Sequence, residues 1–308
     1  MHPEFPSLER IQSGIESLKT KKWETFRFGE NIEAYTTKVL KAFTTEFGIL
    51  PYPYRIFDAK KFSFKIFRAR DLEGINDLDL LSEHSYPPRN LALKLLRCNF
   101  PMSPVFYCAN DSGTALIEVI GKNEYKGKRF CISSWGLLDS NYKIHVHPFF
   151  GDLPEDNLYN IFKLDYLERL NEHFDHKLNS DQLEGAKEYL NFLSSLFLSE
   201  NYSMSASISH GVLYGKVITR PEIIMYQSVQ NPDYGLNMAI HPNFVDDYMY
   251  IRSLLIIELT NLDLLTNRVY FKPLAYGVPV GSYIEWNNEL TVDNLKVIND
   301  EFFGEPLR

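Results

Sequence analysis

Apolar residues recur at helical spacing near the start of the chain. Leu8, Ile11, Ile15 and Leu18 share one face, and residues 32–47 repeat the pattern until Gly48 ends it. Pro51-Tyr52-Pro53 then blocks helix continuation, so residues 1–55 are expected to form an N-terminal helical segment. From Phe62 the period shortens to two. Phe62, Phe64 and Ile66 alternate with Ser63 and Lys65, which predicts a strand running into Phe67-Arg68-Ala69-Arg70. Residues 71–90 are polar, carry Pro87-Pro88 and read as a long loop. A buried strand is expected over 105–109, then a helix over 113–120 with Asp111 or Ser112 as its cap.

Strands follow at 130–137 and 142–146. Long helical patterns occupy 157–174 and 181–198, the second starting near a Ser180 cap, and 202–214 suits a further helix. Strands are expected again at 223–226, 236–240, 251–259, 268–274 and 282–286. Strands and helices do not alternate regularly and no segment repeats. The pattern therefore predicts a mixed α+β fold rather than a doubly wound sheet, with one domain over 56–308 that carries a helical insertion at about 150–200.

A chain of 308 residues can bury a large core, and 44% hydrophobic with 23% charged residues is a globular composition. The 19 Tyr and 22 Phe suit a β-rich core with ring-lined clefts. The formal net charge is −8 and the densest basic cluster is only Lys19-Thr20-Lys21-Lys22, which argues against direct nucleic-acid binding. One or two placed arginines would still suffice for a dinucleotide. Cys98, Cys108 and Cys131 form an odd set without CxxC spacing, as expected in a reducing compartment. Met1-His2-Pro3-Glu4 shows no secretory pattern, and the apolar run at 254–257 is far too short to span a bilayer. A cytoplasmic protein without membrane contact is the expectation.

Two segments concentrate residues suited to chemistry. The first runs from Arg68 through Arg97-Cys98-Asn99 and the strand bearing Tyr107 to Ala115-Leu116-Ile117-Glu118. The second is Tyr226-Gln227-Ser228, followed by Asn237. In order and spacing these resemble the RES family, named for an Arg, a Glu and a Ser. Arg68 matches its first arginine, and Arg97 and Asn99 match its Arg-x-Asn. Tyr107 falls in the expected strand, Glu118 and Ser228 match the glutamate and serine, and Asn237 matches a downstream asparagine. The match covers roughly half of the chain. Leu96 stands where the family has glycine, Met102-Ser103 replace another expected glycine, and Gln227 replaces the proline of Tyr-Pro-Ser.

The resemblance implies a core like that of ADP-ribosyltransferases, with added helices here. It also implies an activity that consumes NAD as substrate, and a toxin role with a helix-turn-helix antitoxin as partner; nicotinamide is already a good leaving group, so no metal is expected. Hydrolysis, phosphorolysis and ADP-ribose transfer all stay open. Breaking the nicotinamide–ribose bond builds positive charge on the ribose, which a carboxylate such as Glu118 stabilises. Arg68 and Arg97 suit the pyrophosphate, Ser228 suits orientation of the ribose or amide, and Asn99, Tyr107 and Asn237 suit binding.

Taken singly, these residues have plainer explanations. Glu118 would be a solvated charge, Arg97 a surface ion pair, Tyr107 a core residue, and Ser228 and Asn237 turn residues. His145 and His147 share a strand face without a third metal ligand in sequence, and His173 with His176 lies elsewhere. No Gly-x-Gly-x-x-Gly or Walker loop is present. The alternative to an enzyme is a catalytically silent RES-like binding protein that works through its extra helices.

Overall fold

The computed structural model describes residues 4–60, 64–121, 125–157, 159–174, 177–215, 222–232, 234–263 and 268–304. Met1 to Pro3, the Phe62-Ser63 start of the expected strand, residue 158 and His176 lie outside the described residues.

The chain folds in the order α1 (Leu8–Thr20), α2 (Ile32–Phe47), β1 (Arg55–Asp58), β2 (Ile66–Asp71), β3 (Phe106–Ala109) and α3 (Ser112–Ile120). There follow β4 (Arg129–Leu137), β5 (Lys143–Phe149), α4 (Asn160–His173), α5 (Ser180–Leu198), α6 (Tyr202–Leu213), β6 (Ile223–Gln227) and β7 (Leu236–Ile240). The last elements are α7 (Pro242–Tyr248), β8 (Met249–Asp263), β9 (Arg268–Val280), β10 (Tyr283–Asn287) and α8 (Val292–Ile298), which runs into a π-helical turn, Asn299–Phe303. The α+β class is thus the one observed, with parallel and antiparallel strand pairs. Among the described residues no helix is long and apolar enough to cross a membrane.

Local chemistry explains where elements start. Asn31 accepts from Ala34 N to begin α2, and Gly48, at φ 74°, ends it. α5 is capped by Asn179 rather than the expected Ser180. Asn179 and Gln182 exchange side-chain bonds in a capping box, which leaves Ser180 as the first helical residue. α4 starts at Asn160, not at 157, because the Asn157 side chain accepts from Tyr159 N and holds a turn there. The expected loop over 71–90 contains short 3₁₀ turns at Leu72–Gly74, Leu81–His84 and Arg89–Leu91. α7 and α8 fall in segments without an expected helix. Pro at the first turn and a His241 cap start α7.

By contacts the chain divides into two units, each built from separate segments. Unit 1 comprises Met1–Ile56, Arg89–Pro104 and His145–Gln227, and unit 2 comprises Phe57–Pro88, Val105–Ile144 and Ser228–Arg308. In unit 1, α1 packs on α5 and α2 on α6, and β5 and β6 pair in parallel from Val146↔Ile223 to Phe149↔Tyr226. Aromatic rings fill this unit, with Phe149 stacked on Phe197 at 4.6 Å.

Unit 2 carries seven strands in the order β7-β3-β2-β4-β8-β9-β10. Neighbouring strands in this order pair antiparallel, from β3 with β7 to β10 with β9. Phe67, Ala69 and Ala109 face α3 and form one apolar cluster with Leu116, Ile117, Ile120, Ile132, Leu255 and Ile257. Phe302 of the C-terminal turn joins this cluster, and the Ser112 hydroxyl at the start of α3 donates to its carbonyl at 2.6 Å.

Candidate functional site

The site is built on α3. Asp111 accepts from Thr114 N at 2.7 Å and starts the helix directly after β3, so its orientation follows that of the strand. The pairing Ala109↔Asn237 puts Asn237 of β7 on the sheet face that α3 covers. Asn237 Nδ2 donates to Glu118 Oε1 at 2.8 Å. Ser228 Oγ donates to the same oxygen at 2.5 Å and the Val229 backbone N–H at 3.0 Å. Three donors therefore fix one oxygen of a half-buried carboxylate, and Oε2 has no protein partner among the described residues. Such charge-assisted bonds orient a carboxylate strongly.

Ser228 is 0% exposed, and its hydroxyl is fully used. It donates to Glu118 and accepts from Gln230 N at 3.2 Å and Asn231 N at 3.0 Å. The turn closes through Ser228 N to Gly235 O and Gly235 N to Asn231 O, both 2.8 Å. Gly235 is required there, since a Cβ would stand 2.8 Å from both Asn231 O and Thr114 Oγ1. Ser228 thus holds the carboxylate and shapes the turn; it offers no spare hydroxyl bond to a ligand.

Arg68 is not part of this cluster. Phe67 and Ala69 face α3, so Arg68 between them projects from the other face of β2. There it donates from Nη1 to the Tyr107 carbonyl at 2.7 Å and lies 5.3 Å over the Phe106 ring. Its Nε is buried without a partner, and no carboxylate pairs with it among the described residues. Burial, followed by the charge of Arg70, pushes its pKa down to about 10. No hydrogen bond joins Arg68 to Glu118, Ser228 or Asn237. What Tyr107 gives Arg68 is its backbone carbonyl.

Arg97 and Asn99 belong to unit 1 and bind backbone there. Arg97 Nη1 donates to the carbonyls of Ser199, at 2.8 Å, and Phe197, and the guanidinium lies 5.1 Å over Tyr202. Asn99 Nδ2 donates to Phe100 O at 3.0 Å and Lys94 O at 3.3 Å. These bonds tie down the segment Arg89–Pro104.

The histidine pair on β5 is held by its own unit. His145 Nδ1 bonds the Tyr54 hydroxyl, and His147 Nδ1 donates to the Pro53 carbonyl. Among the described residues no three His, Cys, Asp or Glu side chains come close enough to hold a metal ion. Thr114, Asn231 and the Val229 N–H were not foreseen. Thr114 stands four residues before Glu118 on one face of α3, and that spacing is the one signal the sequence offered.

No protein-family model matches the chain, and no curated protein matches it.

Proposed function

We propose that unit 2 carries a NAD-consuming site centred on Glu118, in keeping with the RES resemblance and its ADP-ribosyltransferase-like reading. The observation that carries this is the carboxylate with one oxygen held by three donors and the other unpaired. A carboxylate so fixed can accept a ribose hydroxyl on Oε2 and face the positive charge that develops on the ring. The bond between nicotinamide nitrogen and ribose carbon breaks, and the electron pair leaves with neutral nicotinamide. In the hydrolytic case water adds to that carbon and loses a proton, giving ADP-ribose. Glu118 is the catalytic residue in this reading, and Ser228, Asn237 and the Val229 N–H position it. Arg68 suits an anion by its chemistry, yet its place on the other face of β2 leaves it outside the proposed ribose site. The toxin role and a helix-turn-helix antitoxin partner rest on the resemblance alone.

A second reading, a silent binding protein, is favoured by one observation. The side-chain donors matched to ligand contacts, Ser228 Oγ and Arg97 Nη1, already serve the protein itself. The two readings separate on incubation of the purified chain with NAD, with and without phosphate, while free nicotinamide is followed by chromatography. The enzyme reading expects release that Glu118→Gln abolishes, with phosphate dependence marking phosphorolysis. Absence of nicotinamide in both buffers, with no ADP-ribosylated protein in a lysate, would leave the silent reading.

A further inference from the structure

α3 presents two acceptors to the Ser228–Gly235 turn, not one. Thr114 and Glu118 are four residues apart and share a helix face. Glu118 Oε1 meets the start of the turn at Ser228 and Val229, whereas Thr114 Oγ1 accepts from Asn231 Nδ2 at 3.2 Å in its middle. Thr114 is 1% exposed, so this bond is shielded from solvent on the helix side. The same hydroxyl lies against Gly235, where even a Cβ would come within 2.8 Å. Asn231 N in turn donates to Ser228 Oγ at 3.0 Å, and Asn231 O accepts from Gly235 N. Asn231 is therefore the hub of the turn, and Thr114 is where that hub meets the helix.

We propose that Thr114 and Asn231 are positioning residues for the carboxylate of Glu118. Their bond sets the height of the turn on α3, so that the Ser228 hydroxyl and Val229 N–H both reach Oε1 and Oε2 stays unpaired. Without it, the turn leans on the helix chiefly through the carboxylate itself, and that carboxylate gains freedom to turn either oxygen inward. The inference rests on the reading of Glu118 as the working group, but the contact geometry is testable apart from any activity.

The test uses the full chain with Thr114→Val, which keeps the shape and removes the acceptor, and Thr114→Ser, which restores it. Asn231→Ala, at a partly exposed position, serves if the buried valine prevents folding. Amide hydrogen exchange comes first, because the Val229 and Asn231 N–H groups donate to Glu118 and Ser228. Their exchange is expected to accelerate at least about tenfold in Thr114→Val and Asn231→Ala, to return in Thr114→Ser, and to leave Ile132 of β4 unchanged. Nicotinamide release is the second readout. A kcat about tenfold lower with KM within about twofold, rescued by serine, is the mark of misplacement rather than lost binding. Unchanged exchange in both variants overturns the proposal, even if the chain consumes NAD. Accelerated exchange in a chain that releases no nicotinamide supports the contact and defeats the NAD reading instead.

Discussion

Replacing Glu118 separates two kinds of loss. In Glu118→Gln an amide oxygen can still accept from Ser228, Asn237 and Val229 N, whereas in Glu118→Leu no acceptor is left. The Val229 N–H sits at an exposed position and can turn to water. Ser228 and Asn237 are 0% and 7% exposed, so their donors cannot do so fully. A buried donor left unpaired costs about 1–3 kcal/mol. Two such donors at a mid-range of about 2 kcal/mol each, less about 1 kcal/mol recovered from an apolar side chain and a removed charge, put Glu118→Leu at about 3 kcal/mol of lost stability. Glu118→Gln gives up only the charge assistance, about 1 kcal/mol. Urea unfolding followed by circular dichroism measures both, with amide exchange at Ile132 of β4 reporting unit 2 by itself. If leucine and glutamine destabilise equally, or leucine costs under about 1 kcal/mol, the three-donor account is wrong.

Two more predictions concern desolvated ionisable groups. Burial pushes the His147 pKa from 6.5 to about 4, against the opposing bond to the Pro53 carbonyl. The unfolded chain then binds the proton first. Stability from this group is whole above pH 6.5, falls as pH drops below that, and levels off under about pH 4, a total of about 3 kcal/mol. His147→Phe, stacked as now against Phe149, should flatten that part of the urea-midpoint profile; an unchanged slope refutes the assignment. Arg68→Met removes a desolvated cation offset by one carbonyl and one ring, so stability should hold or rise by about 1–3 kcal/mol. A loss above about 2 kcal/mol would mean that the charge is paired after all.

The sequence determined the features that depend on neighbours along the chain. α1 and α2 lie where the helical period, the Asn31 cap and Gly48 put them, because those signals act within a few residues. The α+β class followed from the periods as well, and Glu118 stood out through its place in an ordered set. Strand ends were less legible. β8 runs on to Asp263 past the apolar stretch that marks its centre, because β9 pairs with its polar end, as at Asn261↔Tyr270.

Tertiary structure decided which candidate residues meet. A pairing register is a property of two strands at once: Phe67↔Ala109 turns Arg68 away from α3, while Ala109↔Asn237 turns Asn237 toward Glu118. A slip by one residue would reverse both, and nothing local to either segment forbids it. The Val229 N–H is a donor that every non-proline residue carries, so only the turn closed by Gly235 makes it part of the site. The carboxylate could be named from the chain, but what holds it had to come from how the strands, α3 and the turn pack together.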